Sequence, residues 1–344
     1  MINKTYIIAE AGVNHNGSVE TAKKLIVAAK KAGADAVKFQ TFKTENIVTK
    51  KTNVANYQIK RKNKNDQYTL IKKLELAFED FSKLKKYAER MQIEFLSTPD
   101  DEESLDFLVD VLNIKKIKIG SAEITNEPFL KKIALKNKPI ILSTGMANLA
   151  EIARAVNIIR KINKKELVLL HCTTNYPCEM REVNLRAILT LQKKFSLKVG
   201  YSDHTLGSDV AVAAVALGAK IIEKHLTLNS KMEGPDHAAS LLPEEFLKMV
   251  KKIRNTEICL GNGVKKPFLS EIKNKQVIIK RVLAARHLVK GHRLSMRDLC
   301  FKRANKGIFV KHVKKIVGMR LKNNLKKDQV LKWCLLLNRI NDNK

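Results

Sequence analysis

The chain has 344 residues, 44% apolar and 29% charged, which is enough for a large buried core and excludes an intrinsically disordered polymer. Its five cysteines, Cys172, Cys178, Cys259, Cys300 and Cys334, are odd in number, scattered and without a C-x-x-C pair, which argues against a disulfide framework or a structural zinc site and for a reducing cytoplasm. The net charge of +32 comes with no zinc finger and no aromatic-rich RNA-binding strands; its lysines run from end to end and read as a Lys/Asn bias on solvated helix faces rather than a nucleic-acid footprint.

The first residues enter a strand-like stretch with no signal-peptide pattern. Eight apolar, β-branched runs follow in chain order: 6–10, 36–41, 94–98, 117–120, 139–144, 167–173, 198–202 and 221–226. Each suits a parallel strand buried on both faces. Helix-period runs alternate with them at 19–34, 102–112, 150–162, 185–195, 209–219 and 243–260. Eight βα repeats predict a closed (β/α)₈ TIM barrel over an open sheet. The turn after the first strand, Ala11-Gly12-Val13-Asn14-His15-Asn16-Gly17, is not the G-x-G-x-x-G of a dinucleotide fold. Residues 43–65 are polar and read as a long functional loop. The longest apolar run, 210–219, is too short to cross a bilayer of ~30 Å. The barrel is expected over 1–261, a Gly/Pro linker over 262–275, and a small β-rich module over 276–340.

In such a barrel the chemistry sits where strands end. Those places hold Glu10; Lys38 and Gln40; Thr98; Lys118, Ser121 and Glu123; Thr174 and Tyr176; Ser202 and His204; and Glu223 and His225. Unpaired buried charge is costly, so ordinary strands do not carry this many ionisable groups. Lys38 and Gln40 share one strand face, as do Glu223 and His225. His204 and His225 end consecutive strands ~4.8 Å apart and can share a divalent ion; the bland alternative is that each bonds a neighbouring loop. Lys38 and Lys118 with Thr98, Ser121 and Ser202 suit a phosphate. The alternative is salt bridges to Glu10, Glu123 and Glu223. Glu123 is a candidate general acid or base, or a helix-terminal charge. Asp236, in Gly234-Pro235-Asp236-His237, is a candidate hydroxyl-binding group or an ordinary turn residue. Cys172 reads as a buried apolar side chain, not a nucleophile.

Taken together, Ala9-Glu10-Ala11-Gly12-Val13-Asn14-His15-Asn16-Gly17, Val37-Lys38-Phe39-Gln40, Leu96-Ser97-Thr98-Pro99, Lys118-Ile119-Gly120-Ser121-Ala122-Glu123, Leu142-Ser143-Thr144-Gly145-Met146, His171-Cys172-Thr173-Thr174-Asn175-Tyr176-Pro177, Gly200-Tyr201-Ser202-Asp203-His204-Thr205 and Ile222-Glu223-Lys224-His225 resemble the bacterial sialic acid synthases. That family includes the synthases of legionaminic and pseudaminic acids. The resemblance implies a C-terminal antifreeze-like (SAF) domain and a domain-swapped homodimer. It implies Mn²⁺, or Mg²⁺ or Co²⁺, on His204 and His225. It implies phosphoenolpyruvate on Lys38, Thr98, Lys118, Ser121 and Ser202, with Thr174 and Glu223 as further substrate-binding residues. An N-acetylmannosamine-type sugar is implied near Gln40, Tyr176, Asp236 and Glu123, with Arg303 reaching it from the partner. The implied reaction is synthesis of N-acetylneuraminate, with a diacetamido-trideoxyhexose acceptor, giving legionaminate or pseudaminate, as the alternative.

The sequence departs from the family's pattern at Asp100, where Phe is usual, at Ala122, where Gly is common, and at Ala304-Asn305-Lys306-Gly307, where Pro-Gly-Asn-Gly is favoured. One rival is a condensing barrel that makes seven- or eight-carbon keto-acid phosphates. It needs a second phosphate site, for which only Lys43 and Lys224 offer themselves. A nucleic-acid-associated scaffold is the rival of another class; it does not require Glu10, Lys38, Glu123, His204 and His225 together. No nucleic-acid partner and no membrane attachment are expected.

Overall fold

A computed structural model describes residues 4–50, 52 and 66–337. Most of the expected 43–65 loop lies outside the described residues; its start forms the short helix Thr44–Ile47. The chain divides into two compact units, 1–262 and 263–344.

The first unit is the expected barrel. Its strands are β1 (Tyr6–Gly12), β2 (Ala36–Thr41), β3 (Glu94–Pro99), β4 (Ile117–Ile119), β5 (Ile140–Ser143), β6 (Leu167–His171), β7 (Lys198–Asp203) and β8 (Ile221–His225). The hydrogen-bonded order is β3-β2-β1-β8-β7-β6-β5-β4, and every ladder in it is parallel. β3 and β4 lie side by side and close the ring.

The helices follow the apolar period. Val19–Lys31 starts at Ser18, whose side chain accepts from Thr21 N. Leu149–Ile162 starts at a capping box formed by Asn148 and Glu151. The run expected at 102–112 is an α-helix over Glu102–Asp106 that widens into a π-helix over Phe107–Val111. Two further helices, Phe78–Arg90 and Glu127–Leu135, complete the outer ring and were not anticipated. Among the described residues no helix is long and apolar enough to cross a membrane.

Two-residue alternation gives the barrel interior two storeys. Ile8, Ala36, Leu96, Ile141, Val168, Leu170 and Ile221 form an apolar floor. One step further along the same strands stand Glu10, Lys38, Thr98, Ser143 and Glu223, all buried. The outward residues, such as Ile7, Val37, Phe39, Leu142 and Tyr201, pack beneath the helices in the main core.

The second unit begins with the helix Leu269–Ile278, which occupies part of the expected linker. Antiparallel β9 (Lys280–Ala284) and β10 (Leu299–Arg303) follow, then the short pair β11 (Arg320–Leu321) and β12 (Leu336–Leu337). Val282, Leu288, Leu294, Ile308, Leu321 and Leu331 lie in a core of its own. At the edge of that core Asp298 is buried. It accepts from Arg286 Nη2 at 2.7 Å, His292 Nε2 at 3.0 Å and the Ser295 N and Oγ at 2.9 and 2.8 Å. Burial works against its charge, but His292, Ser295 and Arg286 outweigh it and hold the carboxyl well below the usual carboxylate range.

Because the folded value is depressed, Asp298 stabilises the unit above the unfolded aspartate range and loses that effect as pH falls through the folded value. We expect Asp298→Ala to cost about 2 kcal/mol at neutral pH. In thermal melts the gap to the parent protein should hold down to about pH 4.5 and narrow below it.

Candidate active site

Eighteen residues from all eight strand ends line a cavity of about 200 Å³ at the C-terminal mouth of the barrel. At its base lies a charge quartet. Lys38 Nζ is 2.6 Å from Glu10 Oε2 and 3.9 Å from Glu223 Oε1; Lys118 Nζ is 3.5 Å from Glu223 Oε1. Hydroxyls complete the shell. Lys38 donates to Thr98 Oγ1 at 3.1 Å, Lys118 to Ser143 Oγ at 2.8 Å, and Ser202 Oγ to Glu223 Oε1 at 3.2 Å. All four charged residues are at most 5% exposed.

Desolvation dominates each group, and the partners decide the sign. Burial pushes Glu10 up to about 8 against the pull of Lys38. Desolvation also opposes the Glu223 carboxylate, but Lys118 and Lys38 hold it below the usual range. Burial lowers Lys118, with Lys38 adding to it. Lys38 stays above the ordinary lysine value because Glu10 and Glu223 outweigh its desolvation.

Above the quartet the rings of His204 and His225 stand 5.7 Å apart, with Tyr176 4.1 Å from His204. His204 Nδ1 donates to the Thr173 carbonyl at 2.7 Å, so Nε2 keeps its lone pair, 3.3 Å from Ser202 Oγ. Burial lowers His204 to about 4 and His225 well below the ordinary value, so both are neutral. His225 Nδ1 is buried without a hydrogen bond, 3.8 Å from Asp236 Oδ2. Two neutral imidazoles, one with an orphaned nitrogen, suit a borderline divalent ion. Among the described residues no group of three or more His, Cys, Asp or Glu is gathered closely enough to hold an ion by itself.

Of the residues expected at the site, Glu10, Lys38, Gln40, Thr98, Lys118, Ser121, Thr174, Tyr176, Ser202, His204, Glu223 and His225 line this cavity. Asp236 stands beside His225. Glu123, on the 3₁₀ turn Ser121–Glu123, is not part of the lining; its Oε2 accepts from Asn126 Nδ2 at 2.7 Å. Arg303 lies on β10 in the second unit, opposite Lys280. Lys224 and Lys43 do not form a second phosphate site. Lys224 turns outward, fully buried, onto Asp203 at 2.9 Å, and Lys43 pairs with Glu103 at 2.7 Å. Asp203 Oδ1 in turn accepts from Thr205 N and Oγ1, so this ion pair brackets His204 and abuts His225 on the chain.

The lining residues Ser143 and Asp100, and Gly145 behind Ser121, were not assigned a site role from the sequence. Ser143 takes the Lys118 bond. Gly145 brings its N–H to Ser121 Oγ at 3.0 Å, where a Cβ would meet Thr174 Oγ1 at 2.3 Å. Asp100 follows β3 directly, so its position at a strand end was the available signal. Its carboxyl is desolvated enough to be pushed up to about 7, with Lys38 opposing and Glu123 adding.

The NeuB family model matches residues 25–265, and the SAF domain model matches residues 281–337. The N,N'-diacetyllegionaminic acid synthase of Legionella pneumophila is 46% identical over 95% of this chain and 93% of its own. Its namesake from Campylobacter jejuni is 47% identical over 96% of this chain and 100% of its own. The crystal structure of the N-acetylneuraminic acid synthetase of Leptospira borgpetersenii superposes with a TM-score of 0.69 at 35% identity, over 79% of this chain and 92% of that one.

Two stability measurements test this electrostatic reading. Asp100 is raised on folding, so the folded state holds a proton that the unfolded chain releases, and stability falls as pH rises through that window. Asp100→Asn should therefore raise Tm by about 2–4 °C near pH 8 and leave it unchanged near pH 4. Lys224→Met strands the Asp203 charge and should cost about 3–5 kcal/mol. Lys224→Met with Asp203→Asn should unfold at higher denaturant than Lys224→Met alone.

Proposed function

The chain belongs to the NeuB family of sialic-acid-type synthases, enzymes that join phosphoenolpyruvate to an amino sugar, and from that premise we propose that it makes N,N'-diacetyllegionaminate from a 2,4-diacetamido-trideoxyhexose. What supports the acceptor is that both curated relatives compared above carry that activity in their names over nearly the whole chain. N-acetylmannosamine, the acceptor first expected, becomes the second reading. What supports the chemistry is one observation: two neutral imidazoles and two ammonium groups converge in one cavity of about 200 Å³.

In this reading Lys38 and Lys118 hold the phosphate and carboxylate of phosphoenolpyruvate, with Thr98, Ser121, Ser143 and Ser202 as hydroxyl partners. His204 and His225 would hold a divalent ion such as Mn²⁺, which would supply Lewis acidity toward the aldehyde. The C3 carbon of the enol attacks the aldehyde carbon of the open-chain sugar and forms the new C–C bond. Water adds at C2, and the C–O bond to phosphate breaks. The two lysines are in place before negative charge shifts, so no reorganisation is needed as phosphate leaves. Glu10 and Asp100 are the lining carboxyls raised enough to hold a proton near neutral pH, and Glu10 is the one in contact with Lys38. Glu123, once expected to handle protons, stands at the rim beside Asn126 and is assigned to the sugar with Gln40, Thr174, Tyr176 and Asp236. A domain-swapped homodimer would bring Arg303 of a second copy to the sugar. The enzyme is placed in the cytoplasm, where phosphoenolpyruvate is made.

Phosphate release and product mass should be followed with phosphoenolpyruvate, Mn²⁺ and either acceptor. The diacetamido sugar is expected to react with a kcat/KM at least tenfold higher, a difference of about 1.4 kcal/mol in transition-state binding. Preference for N-acetylmannosamine would restore the first reading, and no release with either sugar would remove both. Lys118→Ala should lower kcat/KM for phosphoenolpyruvate by about 100-fold or more. His225→Ala should abolish turnover while the protein still melts cooperatively.

A further inference from the structure

The positive charge is divided unevenly between the two units. Residues 263–344 carry 23 Lys and Arg against 4 Asp and Glu, whereas residues 1–262 carry 43 against 30. A chain-wide lysine bias acts on both units alike and does not strip carboxylates from one. The even spread expected from the sequence is corrected accordingly. Among the described residues of the second unit, every Lys and Arg except Arg281 is exposed. Its described carboxylates are few and occupied: Asp298 by Arg286 and His292, Asp328 by Lys302, and Glu271 by the Phe268 N–H at the start of its own helix.

The fold also sets like charges opposite each other. Arg293 faces Arg320 across an antiparallel bridge. Such a pair weakens a sheet, and among the described residues neither has a carboxylate partner. Arg293 and Arg320 each give one bond to a carbonyl, of Gly318 and Gly291, and keep their other N–H groups for an incoming anion.

Apolar side chains join this row. Arg320 pairs with Leu337 across β11 and β12, so Arg293, Arg320 and Leu337 share a face. The turn carrying Val289 and Lys290 is tied to β11 by Gly291 N to Leu321 O, and Lys322 N bonds Leu335 O beside it. Val289 and Leu337 are 56% and 42% exposed; Trp333, on the 3₁₀ turn Trp333–Leu335 that leads into β12, is 49% exposed with its ring 5.9 Å from that of His312.

We propose that this face of the C-terminal unit docks on an anionic phospholipid surface. A nucleic acid offers phosphates and a stacking partner for Trp333 but nothing for Val289 and Leu337. A bilayer interface offers phosphate headgroups to Lys290, Arg293, Arg320 and Lys322, and an acyl boundary to the aliphatic side chains and the indole. Lysines outnumber arginines 16 to 7 in residues 263–344, which suits attraction by charge density rather than forked hydrogen bonding. This attachment lies on the surface of the membrane and requires no spanning segment.

The test is co-sedimentation of the full-length protein with phosphatidylcholine vesicles, with or without about one-third phosphatidylglycerol. At least tenfold more protein is expected on the anionic vesicles at low salt, with most of it released at about 0.3 M salt. Arg293→Glu with Arg320→Glu should cut that binding at least tenfold while Tm stays within about 2 °C of the parent. Trp333→Ser with Leu337→Ser should weaken vesicle binding and leave retention on heparin unchanged, which isolates the apolar contribution. Equal or absent binding on the two kinds of vesicle overturns the proposal. So does tighter capture on single-stranded DNA or RNA than on anionic vesicles, or full binding by either double variant.

Discussion

Two ammonium groups and two carboxylates are sealed into the barrel above an apolar floor, and none of the four is tolerable there alone. The effective penalty for an unpaired buried ion is several kcal/mol. Glu10 with Lys38, and Glu223 between Lys38 and Lys118, offset that penalty mutually. With both carboxyls ionised the quartet is electrically neutral, but its charges are not equally committed. Lys118 is the less firmly charged ammonium, and Glu10 the carboxyl nearer to protonation. An entering anion strengthens both lysines and can release Glu10 from Lys38. Substrate binding and proton placement are therefore linked by one set of contacts.

The same economy of paired charge recurs behind the site. Asp203 and Lys224 are fully buried on the outer face of the barrel, and each adjoins one of the two histidines in sequence. Along β7 and β8, side chains alternate inward and outward. Fixing the outward pair therefore fixes where Ser202, Glu223 and His225 point. A rigid barrel wall holding the imidazoles, with their lone pairs uncovered, is what a shared ion requires. The C-terminal unit follows the opposite rule. Among its described residues the charge is almost all of one sign and lies at the surface, the opposite of the buried, balanced quartet in the barrel.

Much of the barrel was legible because parallel strands buried on both faces leave continuous apolar runs, and eight such runs with helical spacers have few alternatives. The polar residues at the strand ends were legible for the same reason: Lys38, Glu223 and His225 interrupt sequence that would otherwise be apolar. Helices Phe78–Arg90 and Glu127–Leu135 carry buried apolar residues at helical spacing, Phe81, Leu84 and Ala88 in one and Phe129, Leu130 and Ile133 in the other, so their signal was present in the sequence although it was not read. Glu123 was read from its place just past β4 as a candidate general acid or base or a helix-terminal charge, and the resemblance put it near the sugar. The 3₁₀ turn that begins at Ser121 carries it instead to Asn126 at the rim.

By itself the sequence determined the class of fold, the order of its strands and which side chains stand at their ends, since these follow from local periodicity. It also held the charge imbalance of the C-terminal unit, visible once a boundary is drawn. Only the tertiary structure decided which charges meet. Glu10 and Lys38 are 28 positions apart in the chain, and Lys118 and Glu223 over a hundred, yet barrel closure brings each pair within 3.5 Å. It also decided that Lys224 faces away from the cavity although Glu223 and His225 face into it, and that Asp100 shares the cavity wall with Lys38. Pairing across a closed sheet depends on register and curvature, and neither is written in the composition of any one strand.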